Sequence, residues 1–309
     1  MNIQIMLGPQ TPQSHFGEAI RAMGVDGPIV TITAGWRDAE GEIDELQAEI
    51  GSPLEDLAIY HRAEEIFARE PQLQALHRER QDQLLELQRL YRLRLNPTLA
   101  AARTLLRTSG QPALLRLEQR AAISQVRALD RDHVRRIAAI HREFDQRRAA
   151  LQLPVATTHR DAVQQRVAAA GLVLIAGGHV AVLLNRIRLF RLGELLAQKP
   201  LIAWSAGAMV LAERIVLFHD DAPQGRRDAE VLDAGLGIVQ GLIPLPHAKS
   251  RLDWSSRSRM ALFSRRFAPA LCCTLDNGSM IRLENGRIVS ALESCVMTRS
   301  GHKKELTLR

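Results

Sequence analysis

A block of about one hundred residues without a strand-like segment most constrains the fold of this 309-residue chain. Within residues 54–155 apolar side chains recur at the three- and four-residue spacing of amphipathic helices. They include Leu84, Leu87, Tyr91 and Leu95, then Ile123, Val126, Val134, Ile137, Ile140 and Phe144. The expected helix breaks are Pro71, Pro97, Gly110 and Pro112. The pattern predicts an inserted, coiled-coil-like helical subdomain over 54–155, with two long helices forming an antiparallel hairpin.

The segments on either side of this block alternate between strand-like and helix-like patterns. Residues 3–7 and 28–34 are apolar runs, and each is followed by a segment with helical spacing. The alternation resumes after residue 157, with strands expected at 172–176, 201–204 and 271–275. Asn-Gly dipeptides at 277–278 and 285–286 predict hairpin turns near the C-terminus. We therefore expect one α/β domain, residues 1–53 and 156–309, with a mostly parallel sheet flanked by helices.

Charge and cysteine content limit the classes of partner and compartment. The net charge is +7, and the 55–150 segment has 18 arginines against 13 acidic residues. Because the two signs alternate and aromatic residues make up only 4%, we expect a solvated helix surface rather than nucleic-acid binding. The three cysteines have no metal-ligand spacing, and the N-terminus lacks a signal-peptide pattern. Glycines and polar residues interrupt the uncharged run 167–185, so we expect a cytoplasmic protein without a membrane span.

A serine directly after a buried strand is the first candidate for chemistry. The sequence Ala-Trp-Ser-Ala-Gly-Ala over 203–208 follows an apolar strand and consists mainly of small residues. This pattern is typical of a nucleophile elbow, in which Ser205 stands on a sharp strand-to-helix turn. The amide of Ala206 would then help to stabilise a developing oxyanion. A tight packing turn without catalytic function is the alternative interpretation.

A serine nucleophile needs a general base and a group that orients this base. His247 follows an apolar strand-like stretch, and His219 is a rival base. Asp220 and Asp221 follow a short strand expected at 216–218, and either could orient the imidazole, with Asp276 as a further candidate. Serine, aspartate and histidine also occur in this order in α/β-hydrolases, although forty residues between serine and histidine are few for that fold.

A pair of glycines, Gly177 and Gly178, closes the strand expected at 172–176. Such a pair lets a substrate approach the backbone closely, and the Gly178 amide could be a second oxyanion donor. A plain strand-to-helix turn is the alternative. The sequence contains no phosphate-binding loop, no dinucleotide fingerprint and no metal-ligand cluster, so we expect no cofactor and no metal.

The order of these residues resembles the peptidase E and cyanophycinase family of serine peptidases, whose fold is similar to class I glutamine amidotransferases. The resemblance spans about 1–52 and 157–290 and is most specific at 203–208. It implies Ser205 as nucleophile, Asp220 as its acidic partner and His247 as the catalytic base. It also implies an oxyanion hole at Gly178 and Ala206. Substrate contacts are expected from Gly177, His179 and Asn277.

The sequence departs from the family pattern in several places. Ala203 stands where the family has glycine, His179 follows the glycine pair in place of a small polar residue, and Ala248 replaces an aromatic residue. The helical block has no counterpart in the short dipeptidases of the family. The implied function is hydrolysis of amide bonds in short peptides or aspartyl-type amides. The alternative is a catalytically degenerate scaffold whose arginine-rich helices mediate binding of a protein partner or homo-oligomerisation.

Overall fold

The computed structural model places the strands of the chain in four sheets. It describes residues 3–24, 26–222 and 225–307, with the backbone alone described at 221, 222, 225 and 226. The described strands are β1 (Ile3–Leu7), β2 (Ile29–Ile32), β3 (Leu54–Asp56), β4 (Leu172–Ile175), β5 (Leu201–Trp204), β6 (Arg214–Leu217), β7 (Asp221–Ala222), β8 (Gly225–Arg226), β9 (Glu230–Ala234), β10 (Leu242–Pro246), β11 (Leu271–Leu275), β12 (Met280–Glu284), β13 (Arg287–Leu292), β14 (Cys295–Met297) and β15 (Lys303–Glu305).

The helices alternate with these strands in the order expected of an α/β protein. The described helices are α1 (Phe16–Met23), α2 (Asp44–Ile50), α3 (Ile59–Arg69), α4 (Pro71–Arg107), α5 (Pro112–Ala149), α6 (Pro154–Ala169), α7 (Val180–Leu189), α8 (Gly193–Leu196), α9 (Ala206–Leu211), α10 (Ala248–Arg251) and α11 (Arg257–Phe267). A 3₁₀-helix covers Ala34–Ala39. Among the described residues, no helix has both the length and the apolar character needed to cross a membrane.

The central sheet has seven strands in the order β13-β12-β1-β5-β4-β2-β3. The five strands from β1 to β3 in this order are parallel, and the pair β12 and β13 is antiparallel. A second sheet has the order β10-β11-β14-β15, and its β10 and β11 are parallel. The expected mostly parallel sheet flanked by helices is therefore confirmed.

Both faces of the central sheet are buried, which explains why the inner strands β1, β4 and β5 are apolar at every position except Gln4. Alternate residues of β1, such as Ile5 and Leu7, belong to the core that contains Phe16 of α1. Met6 points to the opposite face, where the core includes Val167 of α6. The sheet is thus held between two helical layers, and the ends of its parallel strands are accessible for a site.

The helical hairpin consists of α4 and α5, which pack along each other. The two helices have an apolar cluster of their own, and Leu262 of α11 also belongs to it. Its buried members on the hairpin are Tyr91, Leu95, Leu99, Ala102, Ala122, Ile123, Val126 and Leu129. Shared packing with α11 joins the hairpin to the α/β part of the chain.

The expected break at Pro97 is wrong, because α4 continues through it from Pro71 to Arg107. Proline removes one backbone hydrogen bond from a helix interior. Leu95 and Leu99, on either side of it, are almost fully buried in the hairpin core. Their packing offsets the lost hydrogen bond, so the helix does not end here. Pro71 and Pro112 instead stand at helix starts, where proline is well tolerated.

Two other sequence expectations change in detail. Residues Leu54–Asp56 form the edge strand β3, which pairs with β2, so the helices begin at Ile59. Two of the three residues in this segment are acidic, so the sequence shows no apolar pattern typical of a strand. The 285–286 dipeptide joins β12 and β13 as expected. The 277–278 dipeptide does not close a hairpin, because β11 and β12 belong to different sheets.

Candidate active site

Ser205 lies on a strained turn between β5 and α9. Its backbone has φ 53° and ψ −117°, a conformation that residues with a side chain rarely adopt. The sharp turn brings the chain close to β4, so that a Cβ atom on Gly207 would lie 2.2 Å from the carbonyl oxygen of Ile175. Only glycine fits at that position. The Ser205 N–H donates to the carbonyl of Leu7 on the neighbouring strand, at 3.1 Å. The strand end thereby fixes the hydroxyl above the edge of the sheet.

The imidazole of His247 lies within hydrogen-bond distance of this hydroxyl, with 3.2 Å between Ser205 Oγ and His247 Nε2. His247 follows β10 and has a left-handed backbone, φ 58°. The backbone N–H of His247 donates to the carbonyl of Leu275 on β11, at 3.1 Å. Burial lowers the pKa of His247, Arg251 lowers it further, and Asp276 partly offsets this shift. The ring is therefore neutral near pH 7 and able to accept a proton.

The carboxylate of Asp220 makes its hydrogen bonds away from the imidazole. Its oxygens accept from the backbone N–H of Asp253, at 2.7 Å, and from the Arg259 guanidinium, at 2.5 Å. Asp220 is almost fully buried in this arrangement. These contacts tie it to the loop before α11 and to Arg259, in contrast to the expected contact with His247. The side chain of Asp221, the neighbouring alternative, lies outside the described residues.

Asp276 follows the strand next to that of His247. Strands β10 and β11 are parallel neighbours, and Pro246 pairs with Leu275 at their ends. The next residues along the chain are His247 and Asp276, which therefore leave the sheet side by side. Asp276 Oδ1 accepts from the backbone N–H of Lys249, at 2.8 Å, and the charge of Asp276 acts on the imidazole.

The glycine pair after β4 lies against the serine. A Cβ atom on Gly177 would lie 3.0 Å from Ser205 Cβ, and one on Gly178 would lie 2.4 Å from the carbonyl oxygen of Gly35. Gly178 also has φ 98°, which favours glycine. Gly178, Ser205 and Ala206 line one cavity. Within the described part of the chain, neither the Gly178 nor the Ala206 N–H donates to a backbone carbonyl.

The other expected substrate contacts have structural partners. His179 caps α7, because its Nδ1 accepts from the Val182 N–H at 3.3 Å. The Asn277 amide donates to the carbonyls of Pro9 and Gln13, both at 2.8 Å. Asn277 thus fastens the segment after β1 to the turn after β11. Neither His179 nor Asn277 is among the residues that line the cavity at Ser205.

The cavity at Ser205 has a volume of about 330 Å³ and contains charged residues that the sequence did not single out. They are Arg227, Asp228, Glu230 and Arg251. His219, the rival base, lines the cavity, but the hydrogen bond to Ser205 Oγ comes from His247. Burial lowers the pKa of Arg251, which has no ion pair within the described residues. No sequence motif marks these residues, because they come from separate loops and strands.

The hairpin neutralises the two carboxylates of this cavity. Glu230 accepts from Arg92, at 2.5 and 2.8 Å, and from Gln88 Nε2, at 3.0 Å. Asp228 forms an ion pair with Arg103 of α4. A neighbouring cavity of about 380 Å³ is lined both by these hairpin arginines and by Arg227. The helical hairpin therefore borders the cavity at Ser205 on one side.

An α/β fold with a serine hydroxyl and an imidazole in contact at the strand ends is the arrangement of serine hydrolases. Residues 128–291 match the model of peptidase family S51, and this segment is more than half of the chain. The chain belongs to peptidase family S51 and is a serine-type peptidase, and hence a hydrolase. The expected resemblance to peptidase E and cyanophycinase is thereby confirmed.

The comparison with solved structures finds the crystal structure of a peptidase from an acI-B1 Actinobacterium. The two chains are 12% identical, with a TM-score of 0.48 over 99% of this chain and 94% of the other. No curated protein sequence matches the chain.

Proposed function

We propose that the chain hydrolyses amide bonds of short peptides with Ser205 as nucleophile and His247 as general base. The observation that carries this proposal is the 3.2 Å contact between Ser205 Oγ and His247 Nε2 on two strained strand ends. His247 would take the proton of the hydroxyl as the oxygen attacks the substrate carbonyl. The resulting imidazolium would then protonate the leaving amine, and water would release the acyl group from Ser205.

Asp276 is proposed as the acidic partner of His247, in place of Asp220. Support comes from the parallel pairing of β10 and β11, after which the two residues lie side by side. Asp276 also favours the charged imidazole that forms during the reaction. Asp220 has a different proposed role, since its contact with Arg259 holds the loop beside the cavity.

The backbone amides of Gly178 and Ala206 are proposed to bind the oxyanion. Both residues line the cavity at Ser205, and a side chain is excluded at Gly178. Preorganised N–H groups of this kind stabilise the charge that develops on the carbonyl oxygen, and losing one costs about 10²–10³ in rate.

An acidic group on the substrate is proposed because the cavity has two arginines without ion pairs in the described structure, Arg227 and Arg251. Its two carboxylates, Asp228 and Glu230, are already paired with arginines of α4. The remaining positive charge favours an aspartyl-type amide or the free carboxylate of a short peptide. The volume of about 330 Å³ suits a group of this size.

A fluorophosphonate probe tests the nucleophile directly. The wild type should be labelled at Ser205, and Ser205→Ala should lose the label together with hydrolysis of aspartyl dipeptides. Ser290→Ala is the matched control, because Ser290 is an exposed serine on β13. Equal labelling of wild type and Ser205→Ala would overturn the proposed nucleophile.

The acidic partner is tested by comparing Asp276→Asn with Asp220→Asn. We expect Asp276→Asn to lower kcat by about 10³- to 10⁴-fold, because the imidazole loses its orienting charge. Asp220→Asn should mainly lower stability, because Arg259 loses its buried partner. The reverse pattern, with full kcat in a folded Asp276→Asn variant, would restore Asp220 to the role.

A second proposed role is self-association of two copies through the helical subdomain of residues 54–155. It is motivated by leucines that α4 and α5 leave exposed: Leu85, Leu93, Leu114 and Leu117. Light scattering of the full chain should show a dimer that Leu85→Gln with Leu93→Gln, or Leu114→Gln with Leu117→Gln, dissociates. A monomeric wild type at micromolar concentration would exclude this role.

A further inference from the structure

A second and larger cavity lies where the hairpin meets the α/β part of the chain. Its volume is about 840 Å³, and its walls come from α4, α5, α7 and β9. It shares no lining residue with the cavity at Ser205. Strand β9 separates the two, because Glu230 at its start lines the first cavity and Asp233 near its end lines the second.

The walls of this second cavity are strongly basic. Five arginines line it: Arg80, Arg142, Arg148, Arg188 and Arg191. Against them stand only three carboxylates, Asp145, Glu194 and Asp233. Asp233 is already shared between Arg188, at 2.8 and 3.1 Å, and His141, at 3.0 Å. The arginines therefore exceed the carboxylates by two. Both oxygens of Asp233, the most buried of the carboxylates, already accept hydrogen bonds from Arg188.

Arg80 is a buried cation of this cavity whose hydrogen-bond donors are only partly used. It is 5% exposed and stacks on the ring of Phe144, with 4.0 Å to the ring centroid. Its Nη2 donates to Asn185, but its Nε has no hydrogen-bond partner in the described structure. Burial lowers the pKa of Arg80 to about 10, and the charges of Arg188 and Arg148 contribute to this shift. The guanidinium is still charged at neutral pH, so folding leaves a buried cation with an unused donor.

Two further arginines at the cavity are exposed and free to bind. Arg142 on α5 and Arg191 after α7 have no ion pair among the described residues. Burial lowers the pKa of Arg148, and the charge of Arg191 lowers it further. A bound anion would relieve this repulsion and would accept from several guanidinium groups at once.

We propose that this cavity is a second binding site, and that it takes a small phosphorylated organic molecule. A phosphoryl group carries up to two charges and matches several guanidinium forks, which suits an excess of two arginines. The apolar part of the wall, Ile137, Phe144, Leu195 and Leu236, would contact the organic part. A volume of about 840 Å³ accommodates a ligand as large as a nucleotide.

Calorimetric titration of the full chain with AMP, pyrophosphate and adenosine tests the site. AMP and pyrophosphate should bind, and adenosine should bind more weakly because it lacks the phosphoryl group. Arg142→Gln with Arg191→Gln should weaken AMP binding by at least about tenfold, since two charged donors are lost. Arg116→Gln with Arg120→Gln is the matched control, because both residues are exposed on α5 and lie outside the cavity.

Three results would overturn the proposal. They are the absence of AMP and pyrophosphate binding at millimolar concentration, equal AMP affinity in the two double variants, and equal binding of citrate at matched ionic strength. The exposed positions of Arg142 and Arg191 make loss of folding unexpected, and circular dichroism checks this. Ser205→Ala should bind AMP like the wild type, so failure of the proposed catalytic site would leave this result unaffected.

Discussion

The ion pair between Asp130 and Arg266 should contribute more to stability than any surface pair of the hairpin. Asp130 on α5 is 1% exposed and Arg266 on α11 is 3% exposed. The guanidinium donates to both carboxylate oxygens, each at 2.7 Å, and Tyr91 donates to the same carboxylate at 2.6 Å. Asp130→Asn removes the negative charge and leaves Arg266 buried without a counterion. Such a loss costs about 3–5 kcal/mol.

Asp132→Asn is the matched control on the same helix. Asp132 also contacts arginines, namely Arg94, Arg135 and Arg136, but these side chains are more than half exposed. Solvent screens these pairs, and their loss should cost less than about 1 kcal/mol. Urea unfolding of both variants, followed by circular dichroism, gives the two free energies of unfolding on one scale. A difference of less than about 1 kcal/mol between the variants would refute the assignment of this pair as a buried link.

A double-mutant cycle separates the charge from the packing. Arg266→Met alone leaves Asp130 as a buried anion, so it should also be strongly destabilising. The variant with both substitutions should lose much less than the sum of the two single losses, because neither charge is then left unpaired. Additive losses would show that the two side chains contribute independently.

The remaining predictions concern the site and the cysteines. Because the base must be neutral, kcat/KM should fall as pH drops through a value below 6.5, and Arg251→Gln should move this limb to higher pH. Gly207→Ala should lose labelling and stability, because its Cβ would meet the carbonyl of β4. Burial raises the pKa of Cys272, and it raises that of Cys273 to about 12. Ellman's reagent should therefore titrate at most Cys295 in the folded chain and all three thiols in denaturant.

The juxtaposition of Ser205 and His247 could be predicted from the sequence because both follow apolar strands. Small residues after β5 indicated a sharp turn at Ser205, and the resemblance to the peptidase E family indicated His247 as its base. The position of Asp276 beside His247 could not be predicted in the same way. It depends on β10 and β11 being parallel neighbours, and residues 242 and 271 are too far apart in the chain for a local pattern to reveal this.

The second cavity was also hidden from sequence reasoning, for a related physical reason. Its arginines come from α4, α5 and α7 and from the turn after α7, and each of these segments alone has an ordinary mixture of charges. A helical pattern indicates which face is apolar, but it does not show which charged residues of several helices will converge. The sequence shows the excess of arginine over residues 55–150. It does not show that several of these arginines gather where the hairpin meets α7 and β9.

The hairpin changes the charge of the cavity at Ser205 as well as adding a surface to the fold. Without α4, Glu230 would lose the guanidinium of Arg92, and Asp228 would keep only Arg259 as an ion-pair partner among the described residues. Arg103 and Arg92 pair with them, so that Arg227 and Arg251 determine the sign of the remaining field. The hairpin thus changes the electrostatic field of this cavity through the ion pairs by which it docks.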